Sequence, residues 1–280
     1  MEKTKVFNVI ILDKSGSMDY LREYAVNGVN ETISGMKVSQ DKYKDTQEHY
    51  ILLNAFCGHG ISCIYNNIKV NDAKKISMND YNPCCNTPLF DAMGITLTKL
   101  EKKIDHLKDH MVFVTIITDG MENSSHEFDS KQIKELVSRL KEKGWNFTYM
   151  GTNQDVDAIA DSLNISNRVA FSYDGDGLNH AYNEMKSQMN DEYMIREELR
   201  MMERNENRSY SNAERRALFE RRRMEEQQKR RNKENEDNSF STVEETDSSL
   251  EVKQEERVNG ENGENNKNEK KKNFLRRLFK

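Results

Sequence analysis

Val6-Phe7-Asn8-Val9-Ile10-Ile11-Leu12 runs directly into Asp13-Lys14-Ser15-Gly16-Ser17, and this passage decides the fold. An apolar run rich in Val and Ile, closed by a Ser/Gly turn, reads as a buried strand that delivers a loop. The loop carries one carboxylate and two hydroxyls at alternating positions, Asp13, Ser15 and Ser17. Alternate residues of an extended loop can point the same way, so three hard oxygen groups can converge. Such donors suit Mg²⁺, Mn²⁺ or Ca²⁺ and suit zinc poorly. A turn followed by a helix N-cap favours the same residue types, so the pentapeptide alone leaves both readings open.

Two later segments bear on that choice. Asn86-Thr87-Pro88-Leu89-Phe90-Asp91-Ala92 follows a loop and opens a helical pattern, and Thr118-Asp119-Gly120 ends a second apolar run over 111–117. In a sheet with parallel strands, the carboxyl ends share one edge, where ligands bind. Asp13 and Asp119 would both lie there, and Thr87 would reach it from a neighbouring loop. These residues resemble the von Willebrand factor type A (VWA) domain with its metal-ion-dependent adhesion site. That site is an Asp-x-Ser-x-Ser loop, a separate Thr and a separate Asp, matched here by Asp13, Ser15, Ser17, Thr87 and Asp119 in order. The resemblance covers residues 4–190 and is nearest to intracellular bacterial members, through the segment from Tyr81 to Ala92. It implies Mg²⁺, or Mn²⁺ or Ca²⁺, as the cofactor. It also implies binding rather than turnover, with a partner Asp or Glu occupying an open position on the ion.

A chain of 280 residues accommodates one domain of about 200 residues plus an appendage. The net charge of -5 belongs to residues 1–190, because acidic and basic side chains balance over 191–280. A folded domain of that sign has no general attraction to nucleic acid. No stretch is long and apolar enough to span a bilayer, and the first apolar run holds Asn8 and meets Asp13, so it reads as a strand rather than a signal peptide. A cytoplasmic location is the default, with the cysteines reduced. Cys57 and Cys63 flank Gly58-His59-Gly60, and Cys84 and Cys85 are adjacent. No Cys-x-x-Cys pair exists and adjacent cysteines are awkward ligands for one ion, so these thiols are expected to be structural.

Strands are expected over 6–12, 48–56, 62–68, 111–117, 145–151 and 168–171, the second and third forming a hairpin. Helices are expected over 20–36, 89–107, 129–143 (ended by Gly144), 155–163 and from about 177 to 190. The alternation predicts a doubly wound, mostly parallel α/β sheet with helices on both faces. The resemblance adds one short antiparallel edge strand. Pro83 and Pro88 bracket the loop holding Thr87. Proline restricts the residue before it, so Thr87 is pushed toward an extended backbone; it can cap the helix and still face the site.

The expected organisation is a domain over 1–190, a charged helical extension over 191–235 of coiled-coil-like composition, a disordered linker over 236–269 and a basic amphipathic end over 270–280. That end suits an anionic inner membrane surface or an acidic protein groove, or is a solubilising tail. A competing function is a Mg²⁺-dependent phosphohydrolase or phosphotransferase on a similar sheet. It needs a phosphate clamp and a nucleophile or positioned water. There is no Gly-x-x-x-x-Gly-Lys-Ser/Thr loop, Asp13 is followed by Ser15 instead of a second Asp, and Lys14 is the one clamp candidate. The chain therefore reads as a binding module and not an enzyme. Limited proteolysis is expected to trim the chain to an endpoint between about 190 and 235, because the distal tail lacks apolar residues to bury. A tail as resistant as the core would contradict this.

Overall fold

A computed structural model of the chain describes residues 3–152 and 156–206, Tyr210, and separate positions between 214 and 232. Strands β1 (Thr4–Asp13), β2 (Gln47–Cys57), β3 (Gly60–Lys69), β4 (His110–Ile117), β5 (Asn146–Thr152) and β6 (Asn167–Phe171) form one sheet in the order β3-β2-β1-β4-β5-β6. Neighbours are parallel except β2 and β3, which form the antiparallel edge pair. The edge strand is not short: β3 spans 10 residues, because the hairpin turn pairs it along most of β2.

Helices α1 (Arg22–Lys42) and α5 (Gly175–Asn205) cover one face, and α2 (Leu89–Ile104), α3 (Ser130–Glu142) and α4 (Val156–Ser162) cover the other. Period-two alternation explains why β1 is apolar throughout. Val6, Ile10 and Leu12 face the first layer, while Phe7, Val9 and Ile11 face the second. Close approach of α1 and α5 depends on Gly28, where a Cβ would lie 2.1 Å from the Tyr182 ring. Gly144, at φ 89, ends α3 as expected of a glycine beyond a helix C-terminus.

The final helix continues past 190, where the pattern was expected to stop, to Asn205. Tyr193, Ile195 and Leu199 are buried on it. The Tyr193 ring stands edge-on to His49 and Phe113, with centroids 4.6 and 5.4 Å away, and its hydroxyl donates to Asn8 Oδ1 at 2.5 Å. Gln47 Nε2 donates to Tyr193 O and to Glu197 Oε1, and Arg196 pairs with Asp109. Burial of such an aromatic contributes about 2–3 kcal/mol. The charged residues between these positions hide the apolar stripe from a reading of composition.

The chain forms two compact units, residues 1–219 and 220–280. Within the second, the described positions from 220 to 232 are helical, with Arg222 paired to Glu225 and Lys229 to Glu226. The linker expected over 236–269 and the basic end over 270–280 lie outside the described residues. No helix among the described residues is long and apolar enough to cross a membrane.

His49 makes the fold pH-sensitive. Its Nε2 shares a hydrogen bond of 2.8 Å with Gln47 Oε1, its Nδ1 is buried without a partner among the described residues, and burial lowers its pKa to about 4. The folded chain keeps the imidazole neutral, while the unfolded chain protonates it near 6.5. Stability from this group is therefore complete above pH 6.5 and falls as pH drops toward 4, by about 3 kcal/mol. Urea midpoints of wild type and His49→Gln, followed across this range, should show the wild type losing the extra stability; parallel pH profiles would refute the assignment.

Candidate metal centre

The sheet register assembles the site. Asp13 ends β1 and Thr118 follows β4, and Leu12 pairs with Ile117, so the two loops leave the sheet side by side. This is also where the chain order reverses about β1, the place where open α/β sheets form a crevice. Asp13 is fully buried; its Oδ1 accepts from Ser15 N at 2.6 Å and its Oδ2 from Thr118 Oγ1 at 2.6 Å. Burial outweighs these bonds and pushes its carboxyl up to about 6. Ser15 Oγ and Ser17 Oγ lie 3.1 Å apart, and Ser17 Oγ donates to Asp119 Oδ1 at 2.7 Å. Burial likewise raises Asp119, against the bond from Ser17.

Thr87 comes from the second loop. Pro88 takes the cap position of α2, and no side chain caps that helix, so Thr87 is not the cap that its position suggested. Asn123 Oδ1 accepts from Thr87 N at 2.9 Å, and Thr87 O accepts from Leu89 N and Asn123 N. The loop after β4 is fastened to α2 by carboxylates. Asp91 accepts from the backbone of His126, Glu127 and Phe128, and Glu122 accepts from Phe90, Ser124 and Ser125.

All five predicted residues are brought to one sheet edge. A Cβ built on Gly120 would lie 3.2 Å from Thr87 Oγ1, 3.6 Å from Ser17 Oγ and 3.7 Å from Asp13 Oδ2. Three oxygens from two loops thus converge on one small space beside the third loop, and its glycine leaves that space open. Asp119 Oδ2 is buried without a hydrogen-bond partner among the described residues. An all-oxygen donor set with one orphaned carboxylate oxygen fits a hard divalent cation.

Several supporting residues escaped the sequence reading. Tyr81 is fully buried and its hydroxyl donates to Asp13 O at 2.5 Å, holding the loop from beneath. Arg22 Nε donates to Tyr81 O at 2.8 Å. Thr118 was legible only as the neighbour of Asp119. The Tyr173 hydroxyl donates to Ser17 O, and burial, then the Asp119 charge, raise its pKa. Its ring stacks on Tyr20 at 5.8 Å; both tyrosines and Met121 are exposed beside the site. Lys14, the one clamp candidate, turns to the hairpin, where its Nζ donates to Ser62 Oγ at 3.1 Å. His110 lies at the start of β4, the far end of that strand from Thr118.

The sequence matches no family model and no curated protein sequence. Solved structures do resemble it. The pilus adhesin SpaC from Lactobacillus rhamnosus GG is 12% identical, with 69% of this chain and 31% of that one covered and a TM-score of 0.51. The SpRpn10 VWA domain is 13% identical over 65% of this chain and 95% of that one, with a TM-score of 0.47. Proximal thread matrix protein 1 from the mussel byssus, with a zinc-occupied adhesion-site motif, is 11% identical over 67% of this chain and 46% of that one, with a TM-score of 0.45. The chain therefore spans less than half of the adhesin and of the mussel protein. The fold is a six-stranded, mostly parallel sheet with one antiparallel edge pair, between helical layers, and the pilus adhesin is similar to it.

Gly120→Ala tests the convergence. Its methyl would enter the space between Thr87, Ser17 and Asp13, and divalent-cation affinity is expected to fall at least about tenfold with the thermal midpoint little changed. Calorimetric titration with Mg²⁺ or Mn²⁺ reads the outcome; an unchanged affinity would place the ion elsewhere.

Proposed function

We propose that this chain is a metal-dependent protein-binding module that captures a partner carboxylate through a divalent cation, Mg²⁺ first and Mn²⁺ or Ca²⁺ as alternatives. Ser15, Ser17 and Thr87 would hold the ion with neutral hydroxyls, and Asp13 and Asp119 would complete its surroundings. The observation that carries this reading is the convergence of Thr87, Ser17 and Asp13 oxygens, from two loops, on Gly120 of a third, beside the Asp119 carboxylate that Ser17 contacts. The bound ion would supply a strong positive centre for an Asp or Glu side chain. Neutral hydroxyls quench that charge little, so an anionic partner group gains most from it.

The surroundings support binding over turnover. Tyr20, Tyr173 and Met121 form an exposed apolar rim beside the site, the kind of surface that a partner desolvates around a central polar anchor. The phosphohydrolase reading loses its clamp, since Lys14 Nζ is directed to Ser62. The proposed setting is the cytoplasm, with the basic end over 270–280 resting on an anionic membrane surface or in an acidic groove.

The full-length chain should bind Mg²⁺ or Mn²⁺, and Asp119→Ala should lose at least about tenfold in affinity while staying folded, because its loop lies on the rim and the strands carry the core. An acidic peptide should then bind wild type only with the cation present, and a chelator should release it. Equal cation affinity in wild type and Asp119→Ala would refute the site, and peptide binding indifferent to chelator would refute the mode of capture.

A further inference from the structure

A second cluster of metal-binding side chains lies behind the first loop. Cys57 Sγ and Cys84 Sγ are 3.4 Å apart, and Cys84 Sγ is 3.5 Å from His59 Nδ1. The ligand atoms of Cys57, His59 and Cys84 all lie within 4.8 Å of one another. Cys85 Sγ also stands 3.1 Å from His59 Nδ1, outside that group of mutually close donors. Adjacent cysteines looked unsuited to one ion because successive side chains of an extended chain diverge. Cys85 has φ 62, in the left-handed region, and this bend brings both sulfurs to His59. A non-glycine residue there is strained, and such strain concentrates at functional sites.

The cluster is built on main chain rather than on flexible side chains. Cys57 ends β2, His59 sits in the hairpin turn, and the loop carrying Cys84 and Cys85 is stitched to the Asp13 loop. Cys84 N donates to Lys14 O at 2.9 Å, Gly16 N to Cys85 O at 3.0 Å, and Lys14 N to Phe56 O at 2.7 Å. Gly58 permits the approach, since a Cβ there would lie 3.1 Å from Cys85 Cβ. Cys57 is buried, Cys84 half-buried, and His59 and Cys85 exposed, so an ion can enter from solvent.

We propose that Cys57, His59 and Cys84 bind one Zn²⁺, with a solvent water as the fourth ligand. Thiolate and imidazole together select zinc over the hard cations suited to the oxygen site. Neighbouring donors of a tetrahedral zinc lie about 3.5–3.8 Å apart, from Zn–S of about 2.3 Å and Zn–N of about 2.0 Å. The 3.4 and 3.5 Å separations are therefore close to those between donors on one tetrahedral ion. Each ligating thiol releases its proton to solvent as the ion binds. The zinc would tie the hairpin to the loops bearing Ser15 and Thr87, and so brace the first site. The assignment does not depend on the carboxylate-capture proposal.

The test uses the full-length chain, kept reduced with a phosphine, in excess Mg²⁺ and titrated with Co²⁺ as a spectroscopic stand-in for zinc. One equivalent should give intense near-ultraviolet thiolate-to-cobalt absorption and tetrahedral visible bands, and added Zn²⁺ should abolish both. Cys84→Ser and His59→Ala should each weaken binding at least about tenfold. Cys63→Ser, which alters the exposed thiol on β3, and Asp119→Ala, at the oxygen site, should change nothing. Circular dichroism confirms that each variant is folded. A cobalt spectrum without thiolate absorption would overturn the proposal. So would thiolate absorption that survives both Cys84→Ser and His59→Ala, or absorption that is lost in Asp119→Ala.

Discussion

The hydrogen bond from Thr118 Oγ1 to Asp13 Oδ2, between the ends of two adjacent parallel strands, is the interaction on which the site depends. It exists because β1 and β4 pair in register, and both residues are buried. A carboxylate out of water is costly unless it is hydrogen-bonded or paired with a cation. Asp13 has Ser15 N and Thr118 Oγ1 but, among the described residues, no basic side chain bonded to it, and burial raises its pKa. A divalent cation beside Asp13 and Asp119 would offset the shortfall of both carboxylates at once.

The opposite end of the sheet solves a similar problem without a metal. Asn8, Gln47 and His49 are buried polar side chains under α5. Tyr193 and Glu197 meet them from the helix, through the hydroxyl bond to Asn8 and the amide bond from Gln47. One end of the molecule is thus closed by a helix, while the other is left open between loops. Helix α5 therefore holds the sheet together, and the helix ends that border the site stay free to present Tyr173 and Tyr20.

The oxygen cluster and the sulfur cluster share one piece of backbone. Lys14 and Gly16 bond to the two cysteine residues through their main chain, and Asp13, Ser15 and Ser17 alternate with them in the same loop. Anything that rigidifies the cysteine loop limits the freedom of the hydroxyls. The two clusters differ in chemistry, hard against soft, so they need not compete for one ion.

Sequence alone determined the strands and most helices, because apolar runs and 3.6-residue spacing are local properties that burial rewards directly. It also determined the candidate ligands, since hydroxyl and carboxylate types at fixed spacing in a strand-to-loop setting narrow the chemistry. Tertiary structure decided the rest. Tyr81 reaches Asp13 across 68 positions, and Tyr193 reaches Asn8 across 185, so neither leaves a local signature. The end of α5 at Asn205 followed from partners that bury scattered apolar residues among charges. The meeting of Cys57, His59 and Cys84 depended on a hairpin turn and a left-handed residue, and spacing along the chain pointed away from it. Local pattern reports what a segment tends to form; only the folded sheet brings distant side chains within hydrogen-bonding or ligand distance.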